Sequence, residues 1–264
     1  MDTQPVSQGM NKREIHFPNG NHAQVILPLA GTHASDLLHT LGIQQPDAVI
    51  IIAGGASEMD EQVHPELVRL FTRGIAQVAA SARALIIDGG TQAGVMAIMG
   101  QAVAEQQRRS TLLGVAPARS VTYPGKSTDP NDNESVPLDP NHSHFVLVET
   151  DEWGGETETM YELANTLSVG CPSVAVLING GSVAKSEVLY NVRQRRPIIV
   201  IEGSGRLADE IATLWQEKPS FISNPQLAEI VLHGDIYVFP ITGSARDLVQ
   251  LTKRLLEKNN PSES

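Results

Sequence analysis

Three of the four Gly-Gly pairs in this chain close an apolar, β-branched run, and that repeated arrangement restricts the folds open to it. The runs are 49–53 before Gly54-Gly55, 84–88 before Gly89-Gly90, and 174–179 before Gly180-Gly181; a further run, 197–202, ends in Gly203-Ser204-Gly205. Runs of this length that are apolar on both faces suit strands covered by helices on each side. Glycine at the carboxyl end of a strand permits a turn with positive φ and lets a ligand come close to the backbone. Open parallel sheets bind ligands outside those ends. The arrangement predicts a ligand-binding rim.

Between the runs lie segments of helical period. Leu67, Leu70, Phe71, Ile75 and Val78 recur at helix spacing over 63–82, and further helices are predicted over 33–41, 93–107, 157–169, 182–195, 207–216 and 246–257. Strands are also predicted at 111–116, 145–148 and 236–239. At the start, 13–17 and 23–27 flank Pro18-Asn19-Gly20-Asn21, which predicts a hairpin. Strands alternating with helices of this length mean βαβ units. The predicted fold is α/β, a Rossmann-like three-layer α/β/α sandwich with a mainly parallel sheet and an N-terminal β-hairpin, in a single domain over 1–264. Residues 118–142, rich in Pro, Asn, Asp and Ser, read as a long surface loop. Residues 1–12 and 258–264 read as disordered tails.

Composition narrows the partners. A net charge of −11 lacks the clustered Lys and Arg that a nucleic-acid backbone requires. The single cysteine, Cys171, excludes an internal disulfide framework, suits a reducing compartment and reads as a buried, inert thiol. The first twelve residues show no apolar leader segment, and no apolar run approaches the ~18 residues needed to cross a bilayer. The expectation is a soluble, cytoplasmic protein with neither a membrane nor a nucleic-acid polymer as partner.

Four motifs carry chemistry. In 88–96 a strand passes through Gly89-Gly90-Thr91 into a helix with Gly94 in its first turn, offering N–H groups and the positive end of a helix dipole to an anion such as phosphate. The spacing is neither the dinucleotide fingerprint nor a P-loop. In 153–162, Gly154-Gly155 opens a helix whose Glu156 and Glu158 complement its dipole, while Glu162 is available as a hydroxyl acceptor or general acid/base. In 202–209, Arg206 sits where the helix dipole disfavours a cation, which makes sense if an anion shares the site; Asp209, one turn on, is placed to hold it. In 138–144, Asn141 and His142 read as loop-locking or ligand-contacting groups. The His142-Ser143-His144 pair with Asp139 falls short of a zinc ligand set, so no metal is expected.

Taken together and in order, 87–96, 113–117, 138–145 and 200–209 resemble the N-terminal cytosolic homology region of melastatin-type TRP (TRPM) channels. The resemblance covers about 48–215. The chain looks like a free-standing prokaryotic version of that region, of SLOG type within the LOG and DprA-like Rossmannoid superfamily. The resemblance implies cytoplasmic sensing of a small nucleotide-derived ligand, ADP-ribose or an NAD-related compound, and a homo-oligomer. It implies a pocket lined by Gly54, Gly55, Gly90, Thr91, Gly180, Gly181, Ser182, Gly203, Ser204 and Gly205, with Arg206 on a phosphate; the motifs themselves add Gly89, Gly94, Asn141, His142, Gly154, Gly155 and Glu156 as candidate ligand contacts. No resident cofactor is implied beyond such a ligand.

The chain departs from the ADP-ribose-binding channels by carrying Met160, Tyr161 and Glu162 where they have basic residues. The segment 153–162 is also similar in outline to the glycine-rich element of LOG phosphoribohydrolases, which ends in a catalytic glutamate. That likeness implies an alternative, hydrolysis of a nucleotide's N-glycosidic bond with Glu162 as the catalytic residue. The Pro and Gly-Thr of that element are missing, and the spacing to the glutamate is one residue longer.

Overall fold

The alternation of apolar runs and helical segments resolves into one sheet between two helical layers. The architecture comes from a computed structural model, which describes residues 11–55, 63–127 and 134–258. The elements run β1 (Asn11–His16), β2 (His22–Leu27), α1 (Ala34–Leu41), β3 (Ala48–Gly54), α2 (His64–Leu70), a π-helical turn (Phe71–Ile75), α3 (Ala76–Ser81), β4 (Ala84–Asp88), α4 (Gly94–Glu105) and β5 (Leu112–Pro117). They continue through β6 (Val121–Thr122), β7 (Val136–Pro137), β8 (His144–Val148), α5 (Thr157–Leu167), β9 (Ser173–Ile178), α6 (Ser182–Arg193), β10 (Ile198–Glu202), α7 (Arg206–Glu217), α8 (Pro225–His233), β11 (Ile236–Pro240) and α9 (Ala245–Lys258).

The main sheet has nine strands in the order β1-β2-β8-β5-β4-β3-β9-β10-β11. Every pairing in it is parallel except the β1–β2 hairpin, where Asn11 faces Leu27 and His16 faces His22. This is the Rossmann-like sandwich that the sequence predicts. Alternation along β3 shows why three layers form. Val49, Ile51 and Ala53 join the core under α1, α5, α6, α7 and α8, while Ala48, Ile50 and Ile52 join the core under α2, α3, α4 and α9. Period-two side chains that are apolar at every position leave no face for water.

The strand order sets the position of the binding rim. From β3 the chain first builds outward through β4, β5 and β8, then returns to the other side of β3 to build β9, β10 and β11. The order reverses between β3 and β9, and a crevice opens at the carboxyl ends of such a pair. Those ends carry Gly54-Gly55 and Asn179-Gly180-Gly181.

Three local expectations change. The 118–142 stretch is anchored: β6 and β7 pair in parallel, and Val121, Tyr123 and Leu138 are buried beneath the hairpin with Phe17 and Phe145. Its few apolar residues act as anchors in an otherwise polar segment, of which 128–133 lie outside the described residues. At the ends, Asn11 and Lys12 belong to β1 and Lys258 to α9, while the rest of both predicted tails lies outside the described residues. Helix α8 was not predicted. Its signal is Asn224-Pro225: the Asn224 Oδ1 accepts from the N–H groups of Gln226 (2.9 Å) and Leu227 (3.2 Å), with proline in the first turn.

Candidate functional site

A cavity of about 390 Å³ opens at the point where the strand order reverses. That is a volume suited to a small ligand. Gly54, Gly55, Gly89, Thr91, Glu156, Gly181, Ser182 and Arg206 line it, so four separate turns of the sequence-predicted rim meet in one place. Ile52, Met96, Val136, Trp153, Val183, Ala184 and Glu187 complete the wall.

The glycine turns divide into linings and supports. Gly90 is buried with φ +68°, and a Cβ there would stand 2.8 Å from the Gly114 Cα and 2.9 Å from the Phe145 ring. It lets the β4 turn nest against β5 and β8, which leaves Gly89 and Thr91 facing the cavity. At Gly181 a Cβ would stand 2.8 Å from the Arg206 guanidinium, so the absent side chain gives the arginine its berth.

The turn at 203–206 is largely tied up within the protein. The N–H groups of Leu207 and Ala208 donate to the carbonyls of Gly180 (3.3 Å) and Asn179 (3.0 Å). The Ser204 hydroxyl accepts from the Asn179 N–H (2.8 Å) and donates to the Ile201 carbonyl (2.6 Å). Asp209 accepts from the Gly203 N–H at 2.6 Å. The first turn of α7 is therefore spent on joining β9 to β10, and from this segment Arg206 reaches the cavity. The first turn of α6 is different. Ser182, Val183 and Ala184 line the cavity, and the first N–H groups of a helix have no partner within it.

Asn141 and His142 stand behind the rim. His142 is fully buried, with Nδ1 3.0 Å from Asp139 Oδ1 and Nε2 2.8 Å from Asp88 Oδ1. Burial opposes its protonation, but the charge of Asp88 and hydrogen bonds to both aspartates outweigh it and push the imidazole up to about 9. Both ring nitrogens then donate. The same Asp88 oxygen accepts from the Gly90 N–H at 2.7 Å, and the Asp139 N–H donates to the Gly90 carbonyl at 2.9 Å. Asn141 lies under the hairpin turn, its Oδ1 3.3 Å from Asn21 Nδ2. This assembly holds the Gly89–Thr91 turn in place.

Two buried oxygens on that turn, Asp88 Oδ2 and Thr91 Oγ1, have no hydrogen-bond partner among the described residues. Thr91 lines the cavity and is 1 % exposed. Buried polar atoms in native proteins are almost always satisfied, so an orphan at a cavity wall points to a bound partner.

Glu162 does not reach this cavity. It is exposed and lines a wider groove of about 900 Å³ with Glu158, Glu149, His33 and the 28–32 turn. The six residues separating it from Glu156 turn it by about 240° around the α5 axis. The cavity's carboxyls are Glu156 and Glu187. Glu156 Oε2 accepts from the Gly154 N–H at 2.8 Å, and burial pushes its carboxyl above the usual range. Glu187, on the inward face of α6, is buried; burial foremost, then the charges of Glu156 and Asp88, push it up to about 8. The sequence reading missed it. Its signal was a carboxylate among Ala184, Val188 and Asn191 on the apolar stripe of α6. Among the described residues, no group of three or more His, Cys, Asp and Glu is arranged to hold a metal ion.

The family model described as "SLOG in TRPM, prokaryote" matches residues 47–250, well over half of the chain. The transient receptor potential cation channel subfamily M member-like 2 of Nematostella vectensis is 29% identical over 210 residues, covering 66% of this chain and 13% of that protein. Subfamily M member 7 of Homo sapiens is 28% identical over 259 residues, 81% of this chain and again 13% of the channel. Subfamily M member 2 of Mus musculus is 28% identical over 204 residues, or 65% of this chain and 13% of the channel. The chain thus corresponds to a small part of each of these channels, and no helix among its described residues is long and apolar enough to cross a membrane. It belongs to the prokaryotic SLOG family related to the TRPM channels.

Proposed function

We propose that the domain is a cytoplasmic sensor that binds a small nucleotide-derived ligand, ADP-ribose or an NAD-related compound, in the cavity between the ends of β3 and β9. The observation that carries this reading is the convergence at that point of the glycine turns, the first turn of α6 and Arg206. A phosphate there meets helix N–H groups and a guanidinium together, the combination best suited to an anion. The orphaned Thr91 hydroxyl gives the ligand a further polar contact. Family membership agrees with a sensing or regulatory role.

Hydrolysis of the ligand's N-glycosidic bond is the second reading, and the pair Glu156 and Glu187 favours it, since a carboxyl held protonated near neutrality can serve as a general acid. In that reading the acid/base work falls to this pair and not to Glu162. One experiment separates the two. The protein is heated with a panel of nucleotides including ADP-ribose, NAD and adenosine monophosphate, and every stabilising compound is recovered and weighed by mass spectrometry. A rise in Tm with an intact compound supports the sensor; a released base supports the hydrolase. No shift with any nucleotide at millimolar concentration removes the proposal.

A further inference from the structure

The two edges of the main sheet are unlike. At one edge β1 carries Lys12, Arg13 and Glu14, charged side chains of the kind that keep an exposed strand from pairing with another chain. At the other, β11 reads Ile236-Tyr237-Val238-Phe239-Pro240, with no charge in it. Its inner side is fixed by β10. The Ile198 N–H donates to the Asp235 carbonyl and the Ile241 N–H to the Glu202 carbonyl, both at 2.8 Å, in a parallel register that sets Val200 beside Val238. Backbone groups point to alternate sides along a strand, so residues 235, 237, 239 and 241 are the ones bonded to β10. The N–H and C=O groups of Ile236 and Val238 therefore point outward, away from the sheet. Pro240 follows with no N–H to offer, and its carbonyl accepts from the Gly243 N–H at 2.8 Å. Among the described residues, β11 ends the sheet with four backbone groups to satisfy.

Those four groups are complementary to themselves. When a second β11 runs antiparallel about a two-fold axis through Tyr237, Ile236 of each strand lies opposite Val238 of the other. Each such pair exchanges two N–H···O=C bonds, so no outward group is left over. The ladder stops there on both strands, because the next outward position is Pro240. Tyr237 then meets its own copy as a non-hydrogen-bonded pair with Cα atoms ~4.5 Å apart, and facing aromatic side chains add to the pairing. Tyr237 and Val238 are half-buried in the single chain, so a continued sheet covers apolar surface as well as backbone. The cation beside the axis is balanced: Lys258 Nζ lies 3.2 Å from the Tyr237 hydroxyl and 3.9 Å from Asp235 Oδ2. We propose that two copies of this chain pair antiparallel through β11, with Tyr237 on the two-fold axis, into one continuous sheet. A copy satisfies both partners by symmetry, which a foreign strand does only by chance. The edge lies two strands beyond β9, so the cavity between β3 and β9 is a separate part of the sheet.

The test reads mass and register. Size-exclusion chromatography with light scattering on the full chain is expected to give twice the mass of one chain at ~100 μM. Val238→Pro removes an outward N–H that no bond within the chain uses, so the variant is expected to fold and to run at the mass of a single chain. Tyr237→Cys places two thiols at the axis, where a Cα separation of ~4.5 Å lies within the range a disulfide spans. Under mild oxidation it is expected to form a covalent dimer at least about tenfold faster than Val238→Cys, whose two copies are offset by two residues and stand ~7–8 Å apart. Cys171 is buried and serves as the thiol background in both. A parent chain of single mass at that concentration overturns the proposal and leaves the edge to some other strand. A folded Val238→Pro protein that remains a dimer also overturns it, as does a Tyr237→Cys protein that cross-links no faster than Val238→Cys, because either result puts the contact elsewhere. The cross-linking comparison decides the matter even where Val238→Pro fails to fold.

Discussion

The His142 imidazole meets Asp88 Oδ1 at 2.8 Å in a position closed to solvent, and the same oxygen receives the Gly90 N–H at 2.7 Å. One carboxylate oxygen thus ties the loop before β8 to the turn after β4. Asp139 closes the assembly on the other ring nitrogen at 3.0 Å. A buried cation between two aspartates is stable only while it keeps its proton, which makes the Gly89–Thr91 wall of the cavity sensitive to alkali.

The sign follows from the direction of the shift. His142 is raised from 6.5 to about 9 in the folded chain, because Asp88 and Asp139 together outweigh burial. Its contribution to stability is complete below pH 6.5 and disappears as the pH rises through about 9. The amount is on the order of 3 kcal/mol. Urea unfolding at pH 6 and pH 9.5, in the parent and in His142→Gln, isolates it as the difference between the two pH dependences. Identical dependences would mean that folding leaves the His142 pKa at its unfolded value.

Glu187 titrates in a different window. Its carboxyl is raised to about 8 by burial and by Glu156 and Asp88, so stability attributable to it falls between about pH 4.5 and 8 and is flat above. Glu187→Gln keeps the shape and abolishes the ionisation. The variant is expected to match the parent near pH 5 and to exceed it by roughly 2–4 kcal/mol at pH 9, before any ligand is added. Chemical denaturation at those two pH values measures the gap. A variant less stable than the parent at pH 9 would show that the carboxylate is favourably solvated or paired.

The glycine turns were legible because strand, turn and helix are consecutive in the chain, and their chemistry is local. The rim at Gly54, Gly89 and Gly181 follows from that grammar, as does the sandwich itself, since runs such as 49–53 and 174–178 are apolar on both faces. What the chain order hides is rotation and long-range occupancy. Glu162 was chosen from its distance along a motif, yet α5 turns it into the groove beside Glu158. The N–H groups of Leu207 and Ala208 resemble an anion cradle in sequence, but carbonyls of 179 and 180 occupy them. Glu187 escaped notice because charged residues elsewhere on α6 masked a single carboxyl on its buried stripe.

Behind that carboxyl, Asn191 anchors a second buried cation. Its Oδ1 accepts from Arg196 Nη1 at 2.8 Å, while its Nδ2 donates to the Tyr161 hydroxyl at 2.8 Å and to the Glu187 carbonyl at 2.9 Å. Arg196 also reaches Ser173 (2.9 Å) and Asn165 (3.1 Å), and burial lowers its guanidinium to about 10. The network fastens α5 and α6 to β9, which fixes the floor of the cavity. Asn191→Leu strands a charged donor in an apolar layer and is expected to cost about 3 kcal/mol. A loss below about 1 kcal/mol by thermal or urea unfolding would indicate that water replaces the amide.

Arg206 adopts φ +49° at the first position of α7, a left-handed conformation that a side chain other than glycine occupies at a cost of about 1 kcal/mol. The strain has a geometric return: the guanidinium lies against Gly181, inside the cavity and beside the first turn of α6. Two substitutions separate these contributions. Both Arg206→Ala and Arg206→Gly remove the guanidinium, so each is expected to weaken a phosphate-bearing ligand at least tenfold, in keeping with about 1.5–3 kcal/mol for a charge-assisted hydrogen bond. Only glycine also relieves the backbone, so Arg206→Gly is expected to unfold about 1 kcal/mol later than Arg206→Ala. Calorimetric titration with the nucleotide found in the thermal screen reads the first effect, and urea unfolding reads the second. If either variant binds as tightly as the parent, the phosphate lies elsewhere in the cavity, and the first turn of α6 holds it without the arginine.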